Sequence, residues 1–178
     1  MVSITGGKLT TYRKMAEHAV DAACKQLDSK SRCRTKRLAF VGARGFRQSM
    51  LSGKDAGLAE RFGAEFTQIN ELVAQNPHLS EPLVSGLPYI KAEAIFAVRN
   101  EMARTLDDVL SRRTRARIIN RPAALASARS VAELIAPELQ WSLAEITQQV
   151  ADFVDSCARE QDAAMVSESE FVQSTTIS

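Results

Sequence analysis

The sequence predicts a mainly α-helical protein, and three observations carry this prediction. Over most of the chain, apolar residues recur every three or four positions, which is the period of one helical face. Aromatic residues make up only 6% of the sequence although 45% of it is apolar, so Ala, Leu, Val and Ile must fill most of the core. A length of 178 residues suits one domain, or one domain plus a fragment.

A short strand, a glycine turn and a helix are predicted at the start of the chain. Residues 2–5 alternate between apolar and polar side chains, as a strand does. Gly6 and Gly7 permit a tight turn, and Thr10 or Thr11 is placed to cap the helix that follows. One face of this helix carries apolar residues at spacings of three and four: Tyr12, Met15, Ala16, Ala19, Val20, Ala23 and Leu27.

The turn has the chemistry of a site for an electron-rich group. Free N–H groups at the start of a helix attract anions and polar acceptors, and Lys8 adds a positive charge at the same place. The bound group could be a phosphate, a carboxylate or the pyrimidine edge of a flavin. A turn with Gly and Lys is also common as plain structure, so the pattern alone leaves both interpretations open.

A polar and basic segment without helical periodicity follows the first helix. We interpret residues 28–52 as a solvated linker at a domain boundary. The alternative for residues 28–37 is a patch that binds phosphate or anionic lipid. No aromatic residue is interleaved there to stack on nucleic-acid bases.

Residues 53–160 are predicted to form a helical domain. Its first helices are predicted over residues 54–62 and 66–75, interrupted at Gly63 and ended before Pro77. Residues 80–88 are rich in helix breakers and predict a loop. After that loop, Thr105 and Asp108 have the spacing of a capping box, which predicts that a helix breaks near residue 103 and restarts.

The last two helices have start and stop signals of their own. Pro122 is placed in the first turn of one helix, and Pro137 is expected to end or kink it. Ser142 and Glu145 form a second capping box, which opens a final helix that ends near residue 160. Residues 161–178 are rich in Ser, Thr and Glu and predict a flexible tail.

An arginine-rich stretch, residues 112–121, has three interpretations. It is a solvated helix end whose cations complement the helix dipole, a docking surface for another domain, or a DNA-reading helix. Carboxylates close by, Asp107 and Asp108 among them, largely cancel its charge.

Composition excludes several classes of site and of location. The net charge of +2 is too small to argue for nucleic acid. The three cysteines and two histidines lack metal-ligand spacing, so no metal is expected. We also expect the cysteines to be reduced and the protein to be cytoplasmic. The sequence contains no Gly-x-Gly-x-x-Gly motif and no set of residues for nucleophilic or paired-carboxylate catalysis.

Two segments resemble one family of enzymes. Residues 6–16, GGKLTTYRKMA, match the segment of FAD-dependent glycerol-3-phosphate dehydrogenases in which the last strand of the flavin domain turns into its last helix. Residues 92–115, AEAIFAVRNEMARTLDDVLSRRTR, are similar to the carboxy-terminal helical domain of the same enzymes. The segments occur in the order of the family and cover about a fifth of the chain.

The resemblance implies an architecture for the chain. It would be a multi-helix carboxy-terminal cap domain, preceded in residues 1–27 by a remnant strand–turn–helix of a flavin-binding domain that is otherwise missing. The enzyme would oxidise sn-glycerol 3-phosphate to dihydroxyacetone phosphate and pass the electrons to quinone. FAD would belong to the full-length enzyme, and this chain alone is expected to lack FAD and to be inactive.

The resemblance also implies roles for the residues of the turn. Lys8 would be the catalytic residue, because its ammonium stabilises negative charge on the reduced flavin and attracts the anionic substrate. Gly6, Gly7, Leu9 and Thr10 would contact the flavin ring through backbone N–H groups, together with Lys8. The expected partners are the flavin domain, the substrate and a quinone, with no nucleic acid. Peripheral association with the inner face of the cell membrane and a homo-oligomer both stay open.

The alternative function belongs to a different class. The chain would be a small helical regulatory or nucleic-acid-binding module, and the glycine turn would be structural only. Salt-dependent binding to duplex DNA would favour this alternative.

Overall fold

The computed structural model describes residues 1–6, 8–53 and 55–165. A π-helix, Asp108–Arg113, lies between the α-helices Lys91–Asn100 and Ala116–Ile119. The described ranges form no strand, and Pro82 and Ile90 make an isolated antiparallel bridge. The predicted mainly α fold is therefore confirmed. The α-helices in these ranges are α1 (Tyr12–Gln26), α2 (Ala56–Phe62), α3 (Phe66–Gln75), α4 (Lys91–Asn100), α5 (Ala116–Ile119), α6 (Arg121–Leu139) and α7 (Leu143–Met165).

Helix α4 is the centre of the helical domain, a name we use for residues 56–165. Seven of its ten residues, a continuous run from Ala92 to Val98, are buried. It packs against α3 and α6, and α7 packs in turn against α6. Alanines such as Ala128 and Ala132 on α6 are fully buried, which lets the helix axes approach closely. This buried run is apolar except for Glu93, so it has to lie inside the domain.

Both predicted capping boxes form. The N–H of Thr105 donates to Oδ2 of Asp108 at 3.0 Å, and the N–H of Asp108 donates back to Oγ1 of Thr105 at 3.0 Å. At the start of α7, the N–H of Ser142 donates to Oε2 of Glu145 at 2.7 Å, and the N–H of Glu145 donates to Oγ of Ser142 at 3.3 Å. Each box satisfies backbone donors that a helix start would otherwise leave free.

The ends of α6 and α7 lie beyond their predicted positions. Pro137 does not end α6, which continues to Leu139 and stops where Gln140 adopts a left-handed φ of 59°. The N–H of Trp141 then donates to the Ala136 carbonyl at 2.9 Å and closes the helix. Helix α7 runs to Met165 because residues 161–165 are mostly good helix formers. Residues 166–178 of the predicted tail lie outside the described ranges.

Two predictions about the start of the chain are wrong. Residues 2–5 are exposed and form no strand, because no other strand in the described chain offers a hydrogen-bonding edge to pair with. The threonine cap of α1 is also missing. Thr11 occupies the N-cap position, but its hydroxyl donates backwards to the Lys8 carbonyl at 3.3 Å and accepts no helix N–H.

Helix α1 leaves its apolar face uncovered. Tyr12, Val20 and Leu27 are 58%, 58% and 79% exposed. In the described chain no residue before Ala59 is buried, and none of α2 to α7 packs extensively against α1. Because a short amphipathic helix gains most of its stability from packing its apolar face, α1 needs a surface that the helical domain does not supply.

Residues 40–45 approach the helical domain at a pair of glycines. The N–H of Ala64 donates to the Gly42 carbonyl at 2.8 Å. Gly42 and Gly63 have φ values of 80° and 58°, and a Cβ on either one would overlap a backbone carbonyl oxygen of the opposite segment. Only glycine fits this crossing, which attaches the linker to the turn between α2 and α3.

Replacing Gly63 with Ala is expected to lower the free energy of unfolding by about 2–4 kcal/mol, since left-handed strain and overlap with Gly42 add together. Gly86→Ala is the matched control, because Gly86 has a φ of 74° but nothing within 4 Å of an added Cβ. The control should lose only about 1–2 kcal/mol from strain in urea denaturation. Equal losses of unfolding free energy for the two variants would show that the close approach of Gly63 to Gly42 adds nothing to the effect of the φ strain.

Candidate functional site

The predicted site residues lie in an exposed turn directly before α1. A Cβ on Gly6 would overlap the end of the Met15 side chain, so the backbone passes close beneath that residue. Gly7 lies outside the described residues. Lys8 is extended, with φ −90° and ψ 112°, and a 3₁₀ turn of residues Leu9–Thr11 then leads into α1. Lys8 and the two residues after it are exposed, so a second molecule can reach them.

The turn presents one cation and free backbone donors to its surroundings. Lys8 and Thr10 are exposed, and Leu9 is 86% exposed. The N–H groups of Leu9 and Thr10 stand at the start of a helical turn, where intrahelical acceptors are lacking. The Thr11 hydroxyl and N–H both donate to the Lys8 carbonyl at 3.3 Å, which holds the turn. This arrangement suits a group that has carbonyl oxygens or negative charge.

The polar side of α1 is fixed by ion pairs within the helix. Nη1 of Arg13 lies 2.8 Å from Oε2 of Glu17, and Nζ of Lys14 lies 2.9 Å from Oε1 of the same residue. Hydrogen bonds from Lys14 and Arg13 lower the pKa of Glu17. Because these two cations are used locally, Lys8 is the cation that the start of α1 offers to a ligand.

An apolar cavity of about 540 Å³ lies beside the apolar face of α1. Tyr12, Ala16 and Val20 form one wall, and Leu38 and Phe40 belong to the facing segment. The facing segment is tied to α1 by one polar contact, in which Nη1 of Arg13 donates to Oγ1 of Thr35 at 3.1 Å. The cavity and the exposed apolar residues of α1 share Tyr12 and Val20, so together they form one continuous open apolar surface.

The helical domain contains a buried ion pair that sequence reasoning missed. Glu93 on α4 is 3% exposed. Its carboxylate accepts hydrogen bonds from Nε and Nη2 of Arg61, which lies on α2, at 3.1 and 2.8 Å. The same carboxylate accepts the Ile90 N–H at 2.9 Å. Burial raises the pKa of Glu93 above its usual value, and the hydrogen bonds from Arg61 and Ile90 act in the opposite direction. The guanidinium of Arg61 also lies 5.4 Å from the centroid of the Tyr89 ring.

This ion pair has no free carboxylate oxygen to offer a substrate, because both oxygens of Glu93 accept hydrogen bonds. Its function is to join α2 to the start of α4. The partners are separated by 32 residues, so no helical spacing connected them in the sequence. The only available signal was that Glu93 lies at the third position of α4, where a side chain can accept an N–H from the helix start.

The first arginines of the stretch 112–121 are held by the domain itself. Nη1 of Arg112 lies 2.6 Å from Asp107 and 3.0 Å from Asp108. Burial alone would raise the pKa of Asp108, but hydrogen bonds from the Arg104 and Thr105 N–H groups outweigh it and lower the pKa. The guanidinium of Arg113 donates to the Glu101 carbonyl at 2.6 and 3.1 Å.

The later arginines connect the end of this stretch to α7. Arg117, whose side chain is 11% exposed, pairs with Asp107 at 3.1 Å and with Glu160 at 2.8 Å. Arg121 also pairs with Glu160, at 3.1 Å. Arg115 is exposed. Arg117 and Arg121 thus clamp this stretch to α7, and the local contacts of Arg112 and Arg113 occupy two more of its arginines. These contacts weaken the interpretations as a docking surface or a DNA-reading helix.

Comparison with known proteins connects the whole helical region to one family. The C-terminal domain of alpha-glycerophosphate oxidase matches residues 33–146. The chain is 32% identical to glycerol-3-phosphate dehydrogenase 2 of Mycobacterium tuberculosis in an alignment 167 positions long, which covers 86% of this chain and 28% of that protein. It is 30% identical to glycerol-3-phosphate dehydrogenase of Synechocystis in an alignment 165 positions long, which covers 86% of this chain and 30% of that protein.

A solved structure agrees with these relatives. The glycerol-3-phosphate dehydrogenase from Bacillus halodurans, complexed with FAD, superposes with a TM-score of 0.67 at 26% identity. The superposition covers 85% of this chain and 34% of that structure. The helices therefore define a carboxy-terminal helical domain of the kind found in glycerol-3-phosphate dehydrogenases.

The chain belongs to the family of the C-terminal domain of alpha-glycerophosphate oxidase, and its relatives are glycerol-3-phosphate dehydrogenases. It spans about 28% of the length of the curated relatives that it matches first.

Two further features of the structure bear on ligands and membranes. Among the described residues, no three or more His, Cys, Asp or Glu side chains are grouped so that they could hold a metal ion. None of the helices described is both long enough and apolar enough to cross a bilayer.

Proposed function

We propose that the chain is the carboxy-terminal part of an FAD-dependent enzyme that oxidises sn-glycerol 3-phosphate to dihydroxyacetone phosphate. The relatives named as glycerol-3-phosphate dehydrogenases support this function, and so does the FAD bound in the Bacillus halodurans structure. The observation that carries the proposal is the uncovered apolar face of α1, which continues directly from the exposed turn. Both features need a second domain, and a flavin domain supplies a partner for both.

The turn fits one edge of a flavin. Lys8 offers a cation, and Leu9 and Thr10 offer N–H donors, which are the partners that carbonyl oxygens and developing negative charge require. Beyond that edge the described chain offers no strand on which a dinucleotide fold could be built. We therefore assign the remainder of the cofactor site to the flavin domain.

The residues of the turn would position the flavin ring and stabilise the negative charge that develops on it, and the cofactor would supply the redox step. Bound FAD would accept a hydride from the substrate carbon that bears the secondary alcohol. The ammonium of Lys8 would stand where negative charge develops and would also attract the phosphate of the substrate. Gly6 and Gly7 would let the ring approach the backbone, and Leu9 and Thr10 would donate hydrogen bonds to it.

The proposal extends to partners of the full-length enzyme. The flavin domain would cover the stripe of α1 that Tyr12 and Val20 mark, and the helical domain would act as a cap on it. Electrons would pass from the reduced cofactor to a quinone. The isolated chain, which holds one edge of the site, would catalyse nothing by itself.

An absorption spectrum of the purified chain tests whether the cofactor site is divided between this chain and the flavin domain. After addition of FAD and desalting, the chain is expected to retain no flavin and to turn over no glycerol 3-phosphate. The Bacillus halodurans dehydrogenase, carried through the same desalting step, should keep its FAD. Retained flavin that Lys8→Ala releases would contradict the proposal, because the turn would then hold the cofactor unaided. Salt-dependent binding of duplex DNA by the chain would favour the regulatory alternative.

A further inference from the structure

Met15 is an apolar residue of α1 that is directed at the turn rather than at the cavity. It is half-buried, whereas Tyr12 and Val20 on the same helix are each 58% exposed. The side chains that line the cavity beside α1 include Tyr12 and Val20 but not Met15. Because helical side chains lean toward the start of their helix, Met15 lies over the residues that precede α1.

The Met15 side chain supports the turn at Gly6. A Cβ added to Gly6 would overlap the Met15 methyl group and would lie 3.1 Å from the Met15 sulfur. The backbone of the turn therefore passes directly across the end of this side chain. A thioether suits such a place, because its flexible chain fills an irregular gap and its sulfur accepts weak hydrogen bonds.

The Thr11 hydroxyl connects Met15 to the backbone at Lys8. Its oxygen lies 3.3 Å from the Lys8 carbonyl oxygen and 3.5 Å from Sδ of Met15, so these two acceptors share one proton. The Thr11 N–H donates to the same carbonyl at 3.3 Å. In a planar trans peptide the carbonyl and the following N–H point in opposite directions. Because the Lys8 carbonyl is held toward the start of the helix, the Leu9 N–H is aimed away from it.

We propose that Thr11 and Met15 are positioning residues for the edge of the cofactor site that this chain supplies. Together they fix the peptide between Lys8 and Leu9, so that the Leu9 N–H and the Lys8 ammonium meet a bound flavin from one defined direction. Neither positioning residue needs to touch the flavin, because each acts through the turn. Donors fixed in advance stabilise developing charge better than mobile ones, since they need no reorganisation during the reaction. This inference rests on the proposed function and adds two residues to that site.

Steady-state kinetics of the full chain joined to a flavin domain test this inference. Met15→Ala should lower kcat about tenfold with little change in KM, because a misplaced donor loses its effect on the transition state. Met15→Leu conserves the side-chain volume and should recover most of the rate. Thr11→Val removes the hydroxyl and keeps the shape, so it should lower kcat about fivefold, whereas Thr11→Ser should stay near the parent. Met102→Ala is the matched control, since it deletes an exposed methionine of the helical domain and should leave kcat unchanged.

Double variants show whether Met15 and Thr11 act through Lys8. In a Lys8→Ala background, the effect of Met15→Ala on kcat should shrink to about twofold, because the two changes disturb one interaction. Effects that multiply in full would overturn the inference, and so would Met15→Ala and Thr11→Val enzymes as fast as Met102→Ala. If Met15→Ala does not retain FAD, the same comparison with Thr11→Val decides. A Lys8→Ala enzyme as fast as the parent would instead contradict the role that the proposed function gives to Lys8.

Discussion

Replacing Lys8 with Ala is expected to lower the kcat for glycerol 3-phosphate about a hundredfold or more in an assembled enzyme. The assembled enzyme joins this chain to the part of the Bacillus halodurans dehydrogenase that the chain does not cover. The reason is electrostatic. Lys8 is the cation at the start of α1 that no carboxylate in the described chain engages, so it is free to stabilise charge that develops on the cofactor. Stopped-flow reduction of the bound flavin measures this step.

Controls separate the charge of Lys8 from its packing. Lys25→Ala removes an exposed lysine at the opposite end of α1 and should leave kcat unchanged. Lys8→Arg retains the charge and should recover part of the rate. All variants should keep the flavin absorbance of the parent, which shows that the cofactor site is assembled. A Lys8→Ala enzyme as fast as the Lys25→Ala enzyme would remove Lys8 from the mechanism.

Replacing Arg61 with Met is expected to lower the free energy of unfolding by about 3–5 kcal/mol. The substitution leaves the carboxylate of Glu93 buried at 3% exposure without its guanidinium partner. Arg61→Met with Glu93→Gln should recover most of the loss, because no buried charge then remains. Arg129→Met is the matched control. It breaks an exposed pair with Glu133, and the loss there should stay below about 1 kcal/mol. A loss for Arg61→Met no larger than the control would contradict the assigned role of the pair.

The same pair sets the sign of a pH dependence. The pKa of Glu93 is raised in the folded protein, mainly by burial, so the folded state binds this proton more tightly than the unfolded state. The contribution of Glu93 to stability is therefore greatest below its unfolded pKa and is lost as pH rises through the folded pKa. Arg61→Met removes hydrogen bonds that oppose the shift, so the variant should lose stability more steeply over that rise. Urea denaturation of the parent and of Arg61→Met at a series of pH values measures this difference. If Arg61 did not act on Glu93, the two curves of unfolding free energy against pH would be parallel.

Local signals predicted most of the helical domain. The capping box of Thr105 and Asp108 identified the break between α4 and the π-helix because both residues belong to one turn. The period of apolar residues likewise placed α3 and α6, since each helix buries one face against a neighbour. Pro137 was expected to end or kink α6, and it does not end the helix because it lies in the last turn, where two more residues still continue it.

Features that depend on distant partners were beyond sequence reasoning. The pair of Arg61 with Glu93 and the clamp of Arg117 with Glu160 join residues that no helical spacing connects. The turn of residues 6–10 was found by resemblance, and the structure adds its exposure and the uncovered face beside it. The orientation of Lys8 toward a flavin stays a prediction.

Turnover of glycerol 3-phosphate by the assembled enzyme, with a quinone analogue as acceptor, tests the central claim most directly. We expect turnover when residues 1–178 are joined to the Bacillus halodurans flavin domain, and none when residues 28–178 are joined instead, because the second protein lacks the turn and α1. An assembled protein that binds FAD and has no activity, or one whose activity survives the loss of residues 1–27, would contradict the claim that this chain completes the site.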